Sequence, residues 1–209
     1  MDVLAKLFGS EAKVRIMRLF LFNPDQTFSR SDIAMRAKVS LPVVRHETVL
    51  LRKMGMVKGR RFVRTVSLKR GKKVLVRKKK EGGWILNQTF PYLPALQNLL
   101  INTVLVKHED IVRRLNLIGR MKLIIVSGVF IQDTDSRVDL LVVGDNIRFG
   151  ALEGAIKIIE AQIGKELRYS AFETADFQYR LGIYDKLVRD ILDYPHRKIL
   201  DRIEISKID

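Results

Sequence analysis

Apolar residues near the start of the chain recur at helical spacing. Val14, Met17 and Leu21 share one face, Ser10 stands before Glu11 as an N-cap, and Asn23-Pro24-Asp25 breaks the pattern, which predicts a helix from Glu11 to about Phe22. Ser29 with Asp32 three residues later predicts a capped second helix, Arg30 to Ala37, with Ile33 and Ala34 turned inward. Ser40 caps a third helix, Pro42 falls in its first turn where a missing N–H costs nothing, and Gly55 ends it in a left-handed position. Val44, Thr48, Leu51 and Met54 form its inward face, while Leu41, Pro42, Val43, Arg45, His46, Val49, Arg52 and Lys53 face solvent. Helix, short turn and capped helix is the spacing of a helix-turn-helix, and such an outward face can enter a major groove.

Beyond Gly55 the texture becomes strand-like: Met56-Val57, Phe62 to Leu68 and Val74 to Val76, with a Lys69-Arg70-Gly71-Lys72 turn, then a further extended piece, Trp84 to Leu86, after Gly82-Gly83. Phe90-Pro91-Tyr92-Leu93-Pro94 punctuates the chain. An apolar helix follows from Pro94 to Val106 with Leu96, Leu99, Leu100 and Val104 on a broad face, and another from Glu109 to Leu117, ending at Gly119. From Lys122 the pattern is α/β. Leu123 to Val126 and Val138 to Val143 are aliphatic runs of the kind buried on both faces, followed by an amphipathic helix, Phe149 to Ile163, and a strand, Glu166 to Phe172. Helices Thr174 to Leu181 and Tyr184 to Leu192 and an extended Lys198 to Ile203 complete the reading. The fold class is therefore α+β, without internal repeats or a low-complexity linker.

Composition narrows the chemistry. A chain of 209 residues, 47% hydrophobic and 30% charged, has enough apolar surface to bury a core. The lack of cysteine excludes disulfides, thiolate metal sites and a cysteine nucleophile, and three histidines make a histidine-rich metal site unexpected. Apolar runs are too short to cross a bilayer, so no membrane span is expected. The segment Met1 to Phe22 is basic and amphipathic, but Asp2 and Glu11 interrupt it and no small-residue cleavage site follows. It reads as a structural helix in a cytoplasmic protein.

Charge is the loudest signal. The net charge is +16, and residues 1–80 carry 22 Lys/Arg against 5 Asp/Glu while residues 81–209 carry 17 against 18. All the excess is N-terminal, which favours a polyanionic partner, nucleic acid before a membrane surface. Residues 58–80 hold twelve basic residues and no acid, a hairpin unable to neutralise itself. The expected partner is double-stranded DNA, bound by a homodimer. Arg45 and His46 are placed to reach base edges, and Pro42, Val43 and Val49 to touch thymine methyls or backbone, with Ser40 and Arg52 completing the helix's set. Arg60, Arg61, Arg64, Lys69, Arg70, Lys72 and Lys73 supply charge along a phosphate backbone or in the adjacent minor groove. Trp84 and Phe90 read as packing residues.

The segment Val39-Ser40-Leu41-Pro42-Val43-Val44-Arg45 through Leu51-Arg52-Lys53-Met54-Gly55-Met56-Val57 resembles the recognition helix and first wing strand of winged helix-turn-helix regulators, over roughly residues 8–88. The second half resembles the minimal nucleotidyltransferase domains of the DNA polymerase beta superfamily, and the combination is similar to archaeal and bacterial regulators that carry such a domain behind a winged helix. That family's site has Gly-Ser at the end of one strand and Asp-x-Asp on the next. Here Gly128 fits the glycine, Val129 stands at the serine, Arg137 at the first aspartate, and Asp139 fits the second. The third carboxylate would fall near Arg168-Tyr169-Ser170, where none is present. Nucleotidyl transfer needs two divalent cations clamped by carboxylates, and Mg²⁺ wants several oxygens. Asp139 supplies one ligand, a guanidinium at Arg137 repels metal, and Asp133, Asp135 and Asp145 read as solvated acids.

The resemblance thus implies a winged helix-turn-helix domain over 1–88, a helical connector and dimerisation element over 89–120, and a nucleotidyltransferase-like domain over 121–209 with no catalytic residue, metal or cofactor. The dimer contact would use the apolar helix from Pro94. Gly128, Arg137 and Asp139 would form a vestigial pocket able to hold a nucleotide or other anionic effector without metal. The expected function is a sequence-specific DNA-binding transcriptional regulator whose second domain serves dimerisation or ligand sensing. Two alternatives stay open: an active nucleotidyltransferase, and an RNA-binding, ribosome-associated protein using the hairpin on A-form helices.

Overall fold

Ser10 Oγ accepts the amide of Lys13 at 3.1 Å, and from that cap helix α2 runs from Glu11 to Phe22, after a short α1, Val3–Leu7, that the sequence pattern did not announce. The computed structural model describes residues 3–70, 73–101, 106–133 and 135–204, with side chains given outside 66–75. It separates into two compact units, Met1–Thr103 with Ala161–Lys165, and Val104–Glu160 with Glu166–Asp209. The connector expected over 89–120 is thus divided between the units.

In the first unit α3, Arg30–Ala37, opens on a full capping box: Ser29 Oγ accepts the Asp32 amide and Asp32 Oδ2 accepts the Ser29 amide. Helix α4, Leu41–Lys53, has Pro42 in its first turn, and Gly55 beyond it at φ 82°. Ser40 holds the N-cap position, but its side chain makes no capping bond. Val44, Thr48 and Leu51 of α4 are buried with Ile16, Phe20 and Ile33. Met54, expected among them, lies past the helix's last turn and is 53% exposed, while Glu47 is buried with its carboxylate 3.8 Å from Lys13 Nζ.

The strand fragments expected after Gly55 form one long hairpin, β1 (Val57–Arg70) against β2 (Lys73–Leu86), in antiparallel register from Val57↔Leu86 to Arg70↔Lys73. Gly82-Gly83 does not interrupt it. A Cβ on Gly83 would sit 2.5 Å from the Phe28 carbonyl oxygen, so the glycine lets β2 approach Phe28, whose backbone exchanges two 2.9 Å hydrogen bonds with Trp84. Helix α5, Leu93–Leu100, turns Leu93, Leu96 and Leu100 onto this same core. Of the face assigned from sequence to dimerisation, Leu96 and Leu100 are thus covered inside the unit while Leu99 is exposed, and Val104 lies outside the described residues.

The second unit begins with α6, His108–Asn116, and holds a four-stranded sheet built from β3 (Arg120–Val126), β4 (Leu140–Asp145), β5 (Tyr169–Glu173) and β6 (Arg197–Asp201) in the order β5-β4-β3-β6. Only β4–β5 is parallel, and α7, Phe149–Ile163, lies between those strands in sequence. The aliphatic runs are buried on both faces as their composition predicts. Leu123, Ile125, Leu141 and Val143 pack with Phe177 of α8 (Thr174–Gly182) and Val188 and Ile191 of α9 (Lys186–Asp193), and Ile124, Val126, Leu140 and Val142 are buried on the other face.

Candidate nucleic-acid interface

The inward set on α4 fixes what its other side presents. With Val44, Thr48 and Leu51 buried, helical geometry leaves Pro42, Val43, Arg45, His46, Val49 and Arg52 exposed, as the sequence pattern requires. Arg45 and Arg52 line a groove of about 920 Å³ whose opposite wall is the base of the hairpin, where β1 contributes Gly59, Arg60 and Arg61 and β2 contributes Gly82, Gly83 and Trp84. Ser29, Arg30 and Ser31 also line it, and the Arg30 guanidinium lies 5.3 Å from the centroid of the Trp84 ring. Pro42, Val43, His46 and Val49 lie on the exposed face outside the groove lining. Among the described residues, Arg45, Arg52, Arg60 and Arg61 form no ion pair.

Arg64, expected from sequence to meet phosphate, differs from these in having carboxylate partners. Its guanidinium bonds the Asp32 carboxylate through Nη2 and lies 3.2 Å from Glu81 through Nε. Two acids neutralise it: Asp32 ties the hairpin to the cap of α3, and Glu81, just past the acid-free segment, pairs with it across the hairpin. Burial by itself raises the Asp32 carboxyl pKa, but bonds from Arg64 and Ser29 outweigh it and hold the group below its usual range. The hydrogen bond to Asp32 correspondingly pushes Arg64 up. Glu81 is the one acid lining the groove, and this contact engages it.

Lys72 lies outside the described residues, as do the side chains of Lys69, Arg70 and Lys73. Sequence reasoning passed over Arg30, whose signal was available: it occupies the first helical position beside the Ser29 cap, where Ile33 and Ala37 on the inward face turn it out. Trp84 does pack against the core, as expected, yet it also lines the groove. Phe90 packs on the core and meets Tyr92 edge-on.

In the second unit, Gly128 and Asp139 meet. Gly128 has φ 53°, and a Cβ there would collide with Asp139 Oδ1. The Asp139 carboxylate is fully buried and its oxygens are occupied: Oδ1 accepts the Val129 amide at 3.0 Å, and Oδ2 accepts the Arg168 amide at 2.9 Å and its Nε–H at 3.3 Å. Arg137 pairs through Nη1 with Asp190 of α9 at 2.9 Å. Asp133, expected to be solvated, accepts the Asp135 amide at 3.0 Å and the Ser136 hydroxyl at 3.2 Å, and Ser136 also hydrogen-bonds Ser127. Asp145 lies 3.9 Å from Lys122. Among the described residues no three carboxylate or imidazole side chains converge so as to hold a metal ion, and no helix is long and apolar enough to cross a membrane. No family model, no curated protein and no solved structure matches the chain.

Proposed function

We propose that the first unit binds duplex DNA in the manner of a winged helix-turn-helix and that the chain is a sequence-specific transcriptional regulator. The observation that carries this reading is the groove between α4 and the hairpin, where Arg45, Arg52, Arg60 and Arg61 face solvent without carboxylate partners. Like charges gathered this closely oppose folding unless a polyanion offsets them, and arginine's fork matches phosphate oxygens two at a time. On this reading α4 enters the major groove, Arg45 and His46 read base edges, and Val43 and Val49 meet thymine methyls. Arg52, Arg60, Arg61 and Arg30 hold phosphates, while Arg64 fixes the hairpin's base and touches no DNA.

The second unit serves on this proposal as a nucleotidyltransferase-like scaffold without catalysis. Its support is Asp139, whose oxygens are committed to protein donors, and the ion pair that engages Arg137. Assembly as a homodimer belongs to the same proposal, because one recognition helix reads only a few base pairs and regulators gain specificity by pairing half-sites.

Fluorescence anisotropy of a labelled random duplex, titrated with the full chain at several salt concentrations, tests the reading. Neutralising about six phosphates per protomer gives a slope of log K against log salt of roughly −5. Emission of Trp84, the one tryptophan of the chain, should change in the same titration, since its ring lines the groove. A flat salt response overturns the nucleic-acid reading, and preferential binding of duplex RNA in competition transfers it to an A-form partner.

A further inference from the structure

Two glycines of the hairpin have no structural reason in the fold. Gly83 is accounted for by its close approach to Phe28, but neither Gly59 nor Gly82 has a positive φ, and a Cβ on either would meet nothing within 4 Å. Glycine inside a strand weakens it, and there it often marks a bulge, a bend or a place where a ligand or another backbone comes close. The pairing of β1 with β2 is regular at both positions, so there is no bulge. The approach of a ligand is the explanation the fold leaves open.

The register says what lies beside them. Residues opposite one another in an antiparallel pair share a face, as do residues two apart. Gly59 is opposite Trp84 and Gly82 is opposite Arg61, so the four positions form one patch on one face. Each rung holds one bare backbone position and one residue with a planar group. All four line the groove of about 920 Å³. Trp84 is half-buried, and the Arg30 guanidinium lies over its ring at 5.3 Å. Open backbone beside an indole and guanidinium groups suits the flat face of an aromatic ring, which stacks on both kinds of group.

Duplex DNA does not supply that face. Its bases stack on one another and show the grooves only their edges, so a duplex in this groove leaves the glycine patch without an occupant. A free nucleotide exposes its ring, and its phosphates suit Arg45, Arg52, Arg60 and Arg61 of the same groove, which form no ion pair among the described residues. The groove's volume falls within the range of about 300–1,000 Å³ usual for small-molecule sites. The pocket expected from sequence to hold a nucleotide is less suited, because the Asp139 oxygens accept protein N–H groups and Arg137 is paired with Asp190. We infer that the groove binds a free nucleoside polyphosphate, with its base on Gly59 and Gly82 beside Trp84 and its phosphates on Arg45 and Arg52. Nucleotide and duplex then exclude each other, because both use the same arginines. The exclusion rests on the DNA-binding reading above, whereas the nucleotide site stands without it.

The test follows two signals from the full chain in EDTA at constant ionic strength: Trp84 emission, and anisotropy of a labelled random duplex bound beforehand. ATP and GTP are compared with inorganic tripolyphosphate, which carries at least as much negative charge and has no ring. Stacking of one base is worth roughly 5- to 150-fold in affinity. Each nucleoside triphosphate should therefore quench Trp84 and release the duplex at a concentration at least about fivefold lower than tripolyphosphate does. Gly59→Val and Gly82→Val each put a side chain on the patch where a Cβ meets no neighbour, and each should bring nucleotide and tripolyphosphate to parity. Equal potency of ATP, GTP and tripolyphosphate on the parent chain, or a preference that survives both valine variants, overturns the nucleotide site while leaving DNA binding in place. Tighter binding of a duplex with one unpaired base, without quenching by free ATP or GTP, also overturns it, since the ring then comes from the strand itself. Selective quenching by the nucleotides with no binding of duplex overturns the DNA reading and leaves the site standing. Selective quenching while the duplex stays bound overturns the exclusion.

Discussion

Changing Asp139 to Asn separates a structural carboxylate from a catalytic one. The side chain is fully buried, and each of its oxygens faces an N–H: Oδ1 the Val129 amide at 3.0 Å, Oδ2 the Arg168 amide at 2.9 Å. Whichever way an asparagine amide turns, its NH₂ is aimed at one of those donors. One hydrogen bond to a charged acceptor is lost, worth about 1.5–3 kcal/mol, and one buried backbone N–H is left without an acceptor at a further cost of about 1–3 kcal/mol. The Arg168 side chain is half in water, so its share of the loss is small. The expected destabilisation is about 3–5 kcal/mol, against a total of about 5–15 kcal/mol for a domain. Urea unfolding followed by circular dichroism should show it, and amide exchange in peptides spanning β3 and β4 should quicken by roughly a hundredfold or more, since about 1.4 kcal/mol is tenfold. A carboxylate reserved for chemistry behaves otherwise: its removal is neutral or stabilising. Stability of the variant within about 0.5 kcal/mol of the parent would refute the structural assignment of Asp139 and strengthen the transferase alternative.

Two further outcomes follow from the first unit. Because the Asp32 pKa in the folded chain lies below its unfolded value of about 3.9, its contribution is fully present above that pH and is lost as pH falls through the folded value. Thermal unfolding monitored by Trp84 emission should therefore drop steeply below about pH 4 in the parent, and Asp32→Asn should be less stable at pH 7 with a shallower acid response. An unaltered acid profile in that variant would remove Asp32 as the hairpin's anchor. Gly83→Ala should destabilise by at least about 1–3 kcal/mol, since its Cβ meets the Phe28 carbonyl oxygen at 2.5 Å, whereas Gly82→Ala meets nothing within 4 Å and should unfold at nearly the parent temperature. Equal melting temperatures for the two variants would contradict the close approach of β2 to Phe28.

The elements that sequence reading located best are those whose ends are chemically marked. Ser29 and Asp32 cap each other, Ser10 caps α2, and Gly55 closes α4, so all three helices begin and end within a residue or so of expectation. The aliphatic runs in β3 and β4 were equally legible, because strands buried on both faces need no polar alternation. The hairpin was read as fragments for the opposite reason. Its long arms are crowded with lysine and arginine, which carry little strand preference, and it is the cross-strand register that extends them. The face from Pro94 was legible as apolar, but periodicity does not show that Leu96 and Leu100 are covered inside the unit while Leu99 is left exposed.

The same limit governs the site. Within residues 58–80 Arg60, Arg61 and Arg64 are indistinguishable by composition, and the sequence offers no acid nearby to tell them apart. The fold supplies two, Asp32 from the cap of α3 and Glu81 from across the strand pair, and both reach Arg64 because it shares the inward face with the half-buried Phe62. Arg61 alternates onto the other face and Arg60 lies nearer the base, beside the flat glycines of β2 and open to the groove. A cation becomes a fastener or a contact for a polyanion according to which acids the register brings within about 4 Å of it, and residue spacing alone leaves that undetermined. The excess charge of the first unit is therefore best counted after such pairs are subtracted. What survives the subtraction among the described residues is the arginine-lined groove beside α4 and the exposed cations Arg77 to Lys80, so the surface that the proposed DNA binding would use follows from the internal ion pairs as much as from the number of lysines and arginines.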